Sequence, residues 1–517
     1  MKQHPLIQAW LEHPNVREVS SAFAAGDSVA VKGLAGSSPA FLLSALRAQM
    51  QLPVLCVFPD RESAAYFYSD LSGLNSGGVY FFPSSYRRKL SEFETETGYM
   101  VERADVLGTL SRSNPDAIIV THVTAFSEKV ISPAEVVQQS LTLHKGEKIS
   151  PAFLEEVLFE YQFEYTDFIS RPGQFSRRGS IVDIFSFSGG EPLRIDFFGD
   201  EIESIRHFDI TSQLSTEMLE EATVTPDFKT TCPALVESHF LSFFQTPPLV
   251  YLHDSEFFAK SIEEFSSLPR SSRTMYGESS EEQKEVLFSW EQSLGTMKDC
   301  RKIYSGISSR DGMPTITFRT SPQPSFSKKY DMLAEDLSAK KEAGNGIFLF
   351  AENHIQASRL NSIMSDLGHK QLFIHVPVSL HEGFYEETLK ICFYSDHQIF
   401  ERFHRYKIRE RNEGTVGITL NEFLTLNPGD YVVHIDHGIG IFGGMEKVEI
   451  SGREYEQIRI VYRDNDVLYV NINNLHKISK YKSGEATAPR LSKLGTGAWQ
   501  QMKQRAKGKV KDIARDL

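Results

Sequence analysis

The sequence predicts a multidomain chain of mixed α/β and α+β class, on three observations. Residues 1–125 alternate short apolar strands with helices, the order of a parallel, doubly wound sheet. From about Tyr161 to Asp209 the helices drop out and successive β segments take over. Between Pro428 and Ile472 four or five short strands follow one another through tight turns, the grammar of a small β-barrel of the SH3 or Tudor kind. A chain of 517 residues has length for roughly three or four domains with cores of their own.

In chain order, Val29-Ala30-Val31 reads as a strand running into a Gly33–Ser38 corner and a helix from Pro39 to Met50. Val54–Phe58 is a second strand, followed by a helix near Arg61–Leu71, and Val79–Phe82 and Ile118–Thr121 are further buried strands. The inserted β-rich lobe comprises Gln174–Phe187, a Gly189-Gly190 turn, Leu193–Phe198 and Ile202–Phe208. Residues 210–320 are mixed and poorly punctuated, and Pro322 and Pro324 suggest a boundary. Helix–strand alternation then returns, with a strand at Gly346–Phe350 and a helix at His354–Leu367. In the barrel, an alternating strand ends in the Gly438-Ile439-Gly440 corner. Met445–Ile450, a Ser451-Gly452 turn, Tyr455–Tyr462, an Asp464-Asn465-Asp466 turn and Val467–Ile472 follow. Ala498–Leu517 reads as one helix without a Gly or Pro stop, as though the chain continued. The expected boundaries are 1–125, 126–209, 210–320, 321–412, 425–485 and 490–517.

A net charge of −13 excludes a globally basic nucleic-acid binder, although Lys503, Arg505, Lys507, Lys509, Lys511 and Arg515 cluster late. No apolar run reaches the ~18 residues that a bilayer requires, and no signal pattern opens the chain, so no membrane role is expected. Cys56, Cys232, Cys300 and Cys392 are scattered without metal spacing, which fits a reducing cytoplasm.

The Gly33–Ala40 corner lies where a P-loop belongs, between strand and helix, yet the fingerprint is degenerate. A working P-loop ends in Gly-Lys-Ser/Thr, the lysine reaching the phosphates and the hydroxyl holding Mg²⁺. Gly33 and Gly36 are present, but Ser38, Pro39 and Ala40 stand at those end positions, and Pro39 also removes a phosphate-cradling N–H. The corner reads as a turn kept for folding, with no catalytic residue, no metal and no cofactor expected in this chain. His434, Asp436 and His437 resemble a metal set, but His437 is expected to point away, so a turn-supporting role is favoured. Arg402, Arg405, Lys407, Arg409 and Arg411 interleave with Phe403, His404 and Tyr406. Glu401, Glu410 and Glu413 dilute that pattern to a solvated linking helix. In the lobe, Arg171, Arg177 and Arg178 gather beside Phe168 and Phe175, with Arg194 and Arg206 on later strands.

The run GDYVVHIDHGIG, followed in order by Leu468-Tyr469-Val470, Leu475, Ile478 and Tyr481, resembles the RNA-polymerase-interacting module of CarD-type regulators and bacterial transcription-repair coupling factors. Residues 1 to about 320 resemble the excision-repair helicase UvrB and the UvrB-homology region of the coupling factors. The likeness is carried by GLAGSS (33–38), FPSS (82–85), Arg103, FSRRGSIVDIF (175–185) and LRIDFFGDEIESIRHFD (193–209). Tyr86-Arg87-Arg88 departs from the usual acidic and proline pattern, and Ser176 stands where UvrB tends to be basic. Leu491–Leu517 resembles the coupling factors' linker into a DNA-translocase motor.

The resemblance implies an adaptor with an inactive nucleotide corner. Its lobe would dock UvrA through Arg171, Phe175, Arg177, Arg178, Arg194 and Arg206. Met445, Glu446, Lys447, Val448, Glu449 and Ile450 would hold the β subunit of RNA polymerase. The full-length protein would be a monomeric, ATP-dependent translocase that binds double-stranded DNA, displaces stalled polymerase and serves transcription-coupled nucleotide-excision repair, with ATP and Mg used in the motor. Two rivals are a UvrB-type helicase or nuclease fragment with its own ATP or DNA binding, and a free-standing CarD-like regulator. Ser38-Pro39-Ala40 weighs against the first, and the four hundred residues before the barrel weigh against the second.

Overall fold

The computed structural model describes residues 5–85, 96–111, 117–188, 190–210, 212–226, 238–267, 287–306, 312–402, 428–434, 437–450, 453–471, 478–480 and 491–494. The chain forms two compact units, residues 1–141 with 225–409, and residues 142–224 with 410–517.

The first unit begins with α1 (Pro5–Leu11) and α2 (Pro14–Ala24) and then sets out the first strands of a parallel sheet. These are β1 (Val29–Lys32), β2 (Val54–Phe58), β3 (Val79–Phe82) and β4 (Ile118–His122), with α3 (Ser38–Met50), α4 (Arg61–Leu74) and α5 (Glu96–Ser111) between them. The eight strands β5–β12, residues 141–224, form the lobe. The first sheet is completed by β13 (Leu249–His253), β14 (Lys302–Ser305) and β15 (Thr315–Thr317), in the order β15-β1-β14-β13-β2-β4-β3. Every pairing in it is parallel. Both faces are therefore covered, and β2 shows the consequence in its period of two. Val54, Cys56 and Phe58 enter the core shared with α1–α4, while Leu55 and Val57 enter the opposite core with Val106, Phe126 and Phe240. The sheet corrects the expected boundary between 1–125 and 210–320, because β13–β15 lie among and beside the early strands rather than in a domain of their own.

A second sheet in the same unit contains β16 (Thr320–Pro322), β17 (Gly346–Phe350), β18 (Ile374–Val376), β19 (Phe384–Glu386) and β20 (Ile391–Ser395), in the order β16-β19-β20-β17-β18. One face packs Leu333, Leu337, Leu360 and Met364 from helices Tyr330–Glu342 and His354–Asp366. From the other face Phe350, Phe384 and Phe393 join the core of α1 and α3, so those helices lie between two sheets. A fully buried pair seals this junction: His13 donates from Nε2 to Glu386 at 3.0 Å, while its Nδ1 accepts the Asn15 N–H at 3.1 Å.

In the second unit, β5 (Leu141–His144) and β12 (Glu221–Val224) pair as a two-stranded neck. Beyond it, β6 (Glu164–Tyr165), β7 (Gln174–Arg178), β8 (Ile181–Phe185), β9 (Leu193–Phe198), β10 (Glu201–Phe208) and β11 (Ser215–Leu219) form one sheet in reverse sequence order. The lobe thus spans 142–224 rather than 126–209, and the β segment Gln174–Phe187 is a hairpin of two strands, turned at Gly179 with φ +64°. The last sheet contains β21 (Tyr431–His434), β22 (Gly438–Ile450), β23 (Arg453–Val461), β24 (Val467–Asn471) and β25 (Ile478–Lys480), in the order β24-β23-β22-β21-β25. Its core holds Val432, Phe442, Ile458, Ile460, Tyr462, Val470 and Ile478. The expected Gly438-Ile439-Gly440 corner is instead the start of the 13-residue β22, paired with Val432–His434, and Gly443-Gly444 lies at a register shift inside that strand. The expected helices at 401–413 and 498–517 lie outside the described residues, apart from Glu401 and Arg402.

Candidate interaction surfaces

Alternation along β7–β10 divides the lobe sheet into an apolar face and a charged one. Phe175, Val182, Ile184, Leu193, Ile195 and Phe197 are buried on the first. On the second, Asp183 lies directly across from Arg194 on β9 and Ser176 on β7, and Arg194 lies across from Arg206 on β10. Two arginines face to face would repel, and a carboxylate on each relieves this. Arg194 grips Asp183 through Nε at 2.7 Å and Nη2 at 2.9 Å, and Nη2 also donates to Gln213 Oε1 at 2.9 Å. Arg206 pairs with Asp196. Arg178 donates to Asp183 Oδ2, the oxygen that Arg194 Nη2 also reaches, and lies over the Phe168 ring at 4.8 Å. Asp183 is only 2% exposed, whereas Arg178 keeps 38% of its side chain in solvent.

Arg178, Arg194 and Arg206 therefore share one face of the sheet. Arg171 and Arg177 make separate ion pairs, with Glu164 and Glu155, both at 2.9 Å. Phe175 corrects an expectation: it is fully buried, edge-on to Phe159 and Tyr165, and so packs the lobe instead of offering a contact. Asp183, the hub of the charged face, escaped the sequence reading. Its signal was an acidic residue inside the apolar run IVDIF. Exposed Phe198, Leu214 and Met218 were missed too, because alternation does not say whether an outward apolar residue is covered.

On β22, the half from Met445 to Ile450 pairs with β23 alone, since β21 covers only residues 438–441. One edge of this half-strand thus has no partner strand among the described residues. Glu446, half exposed, accepts from the Tyr469 hydroxyl at 2.9 Å and faces Arg459 at 3.4 Å, which fixes the hairpin's base. Backbone register sets Val448 across from Tyr455, while the side chains of Lys447, Val448, Glu449 and Ile450 lie outside the described ones.

At the Gly33–Ser38 corner, the Ala35 and Ser37 N–H groups that would meet a phosphate are already engaged. Thr320 Oγ1 accepts the Ala35 N–H at 2.6 Å and donates to the Gly33 carbonyl at 2.8 Å. The Ser37 N–H donates to the Glu382 carbonyl at 3.1 Å, and Ser37 Oγ accepts the Glu382 N–H at 3.0 Å. A Cβ at Gly36, where φ is +53°, would sit 2.9 Å from the Gly383 carbonyl oxygen, so glycine permits this close approach. Farther along the same sheet edge, Glu128 is 1% exposed. It accepts from the hydroxyls of Ser84 and Ser85, from the Ser85 N–H at 3.0 Å and from Arg103 at 3.0 Å.

The rings of His434 and His437 lie with centroids 4.7 Å apart, tilted by 39°, so His437 does not point away as expected; Asp436 lies outside the described residues. Among the described residues no three His, Cys, Asp or Glu side chains converge to hold a metal. None of the described helices is long and apolar enough to cross a membrane.

Comparison with known proteins matches the lobe and the last sheet separately. Residues 141–229 match the family model described as the UvrB interaction domain, and residues 426–482 match that of the CarD-like/TRCF RID domain. The chain is similar to the transcription-repair-coupling factor of Bacillus subtilis strain 168, 25% identical over 564 residues covering 94% of this chain and 48% of the relative. It is also similar to the transcription-repair-coupling factor of Staphylococcus aureus strain Mu50, 23% identical over 586 residues covering 98% of this chain and 49% of the relative. The chain thus spans about half the length of the curated relatives it matches.

Proposed function

We propose that this chain is an adaptor of transcription-coupled nucleotide-excision repair, which binds stalled RNA polymerase with one module and recruits UvrA with another. The observation that carries this reading is the presence, in one chain, of a UvrB-interaction lobe and a CarD-like/TRCF RID module. The charged face of the lobe is the UvrA surface, with Arg178 its most available guanidinium, while Arg194 and Arg206 stiffen the sheet beneath it. The hairpin is the polymerase surface. The free edge of Met445–Ile450 adds to a sheet of the β subunit, and Val448 enters an apolar pocket there. The five strands are a small SH3/Tudor-like barrel, and the Gly33–Ala40 corner is a degenerate P-loop without catalysis. ATP, Mg and double-stranded DNA are engaged by the translocase portion of such a protein, which acts as a monomer.

Two variants test both surfaces in one experiment, the capture of purified UvrA and of purified polymerase β subunit by the 517-residue chain. Arg178→Ala leaves Asp183 held by Arg194, so the lobe stays folded, and UvrA binding should weaken about tenfold or more, or ~1.4 kcal/mol. Val448→Arg should abolish β-subunit binding and leave UvrA capture intact, because a charge enters an apolar contact. Undiminished capture of UvrA by the first variant, or of the β subunit by the second, would refute that surface's assignment. Should Val448→Arg lower the melting temperature, the side chain belongs to the barrel core instead.

A further inference from the structure

The turn Ser379–Gly383 sits where the ligand of a strand–glycine–helix corner would sit. Its Glu382 carbonyl lies at the N-terminus of α3, which is 13 residues long, and takes the Ser37 N–H that such corners offer to an anion. Its Glu382 N–H returns a bond to Ser37 Oγ, and its Gly383 N–H donates to Gln398 Oε1 at 2.8 Å. Val378 packs so tightly against α4 that a Cβ at Gly73 would come within 2.4 Å of Val378 Cγ1. His381 stacks on Tyr66 with ring centroids 3.8 Å apart, and its backbone N–H donates to Asp70 Oδ1 at 2.7 Å. Asp70 is a buried carboxylate in this junction, 3% exposed, and the Ser37 hydroxyl is bonded to it as well.

We infer that the corner has become a docking socket whose ligand is the chain's own turn 379–383, and that charging of Asp70 opens the socket. Around Asp70 the Ser37 hydroxyl and the His381 backbone N–H favour the charged form by hydrogen bonding, while burial and the neighbouring Glu382 favour the neutral one. Glu382 on the turn is a like charge, and Ser37 on α3 is neutral. Behind His381 stand His397, at 6.4 Å between rings, and Asp396, which Arg402 holds at 2.6 Å. Tyr66 belongs to α4 itself, and Arg47 on α3 reaches toward Gly77 at 3.3 Å. Burial, opposed by the Ser37 and His381 hydrogen bonds and aided by Glu382, pushes the Asp70 carboxyl up to about 7 from 3.8. A carboxyl raised in the docked state stabilises docking fully below about pH 3.8. That contribution declines as pH rises toward 7, above which nothing further is lost.

Hydrogen exchange on the intact chain at pH 6 and pH 8, corrected for intrinsic rates, reads the socket directly. The opening constant at the amides of residues 379–383 and 35–38 should rise about tenfold between those pH values. Asp70→Asn, which keeps the acceptor oxygen and cannot ionise, should remove that rise while leaving the turn docked. Gly36→Ala should raise exchange at the same amides at both pH values, because its Cβ meets the turn's backbone. A wild-type opening constant that stays flat from pH 6 to pH 8 overturns the inference without recourse to any variant. An undiminished rise in Asp70→Asn overturns it equally.

Discussion

Asp183 shows how much of a surface can rest on one buried carboxylate. Two guanidinium groups share it, and Arg194 is itself only 13% exposed. Asp183→Ala strands that arginine, so the lobe should lose about 3–5 kcal/mol in urea unfolding, as when one partner of a buried pair is removed. Arg178→Ala should cost under ~1 kcal/mol, because Arg178 is more than a third exposed. Equal losses would mean that the hub is not Asp183. His239 is a second residue with a measurable signature. Burial holds its pKa down at about 4 from 6.5, and its Nδ1 caps the short helix Phe240–Phe243 by accepting the Leu241 N–H. The unfolded chain takes up this proton first, so stability is lost as pH falls from 6.5 toward 4. The advantage of wild type over His239→Asn, which keeps a capping acceptor, should shrink by about 2 kcal/mol between pH 7 and pH 5. Fluorescence of Trp10 and Trp290, both buried in the first unit, would follow it. Charged residues such as Arg178 were legible in the sequence, but their partners were not, since the choice between Phe175 inward and Arg178 outward rests on register.

Elements were read well where pattern and local chemistry agreed. The expected strands Val54–Phe58, Val79–Phe82, Leu193–Phe198 and Gly346–Phe350 have those bounds in the structure. The degenerate corner was legible only in part. Missing lysine and hydroxyl groups can be read at Ser38-Pro39-Ala40, whereas a peptide bonded to Ser37 from 345 residues away cannot. That distant peptide makes a stronger prediction than the missing residues do. Calorimetry with Mg-ATP should give no binding heat for the wild type, and none for Ser38→Gly/Pro39→Lys/Ala40→Thr once circular dichroism shows it folded. Saturable micromolar binding by the restored corner would mean that phosphate displaces the turn.

At the scale of the whole chain, the boundaries were the least legible feature, for a topological reason. A parallel sheet takes its next strand from any distance along the sequence, so residues 249–317 gave no local sign that they complete a sheet begun at Val29. The lobe is the converse case, a self-contained excursion whose two ends meet. The Lys145 N–H donates to the Glu220 carbonyl at 3.0 Å across the neck. Replacing residues 146–219 with an Asn-Gly turn should therefore leave the first unit folded, with its hydrogen-exchange protection in β1–β4 unchanged, while UvrA capture is lost. Loss of protection throughout the first unit would show that the excursion supports it.

The strand order has a consequence for the chain as it is being made. β1 is flanked by β14 and β15 and touches no other strand of its sheet. Translation at about 5–20 residues per second leaves β1 waiting roughly 15–60 s for its neighbours. Meanwhile the lobe, whose strands pair in sequence, can finish folding as it leaves the ribosome. The nascent first unit must spend that interval with the edges of Val29–Lys32 uncovered, the period in which a holdase chaperone would matter most to it.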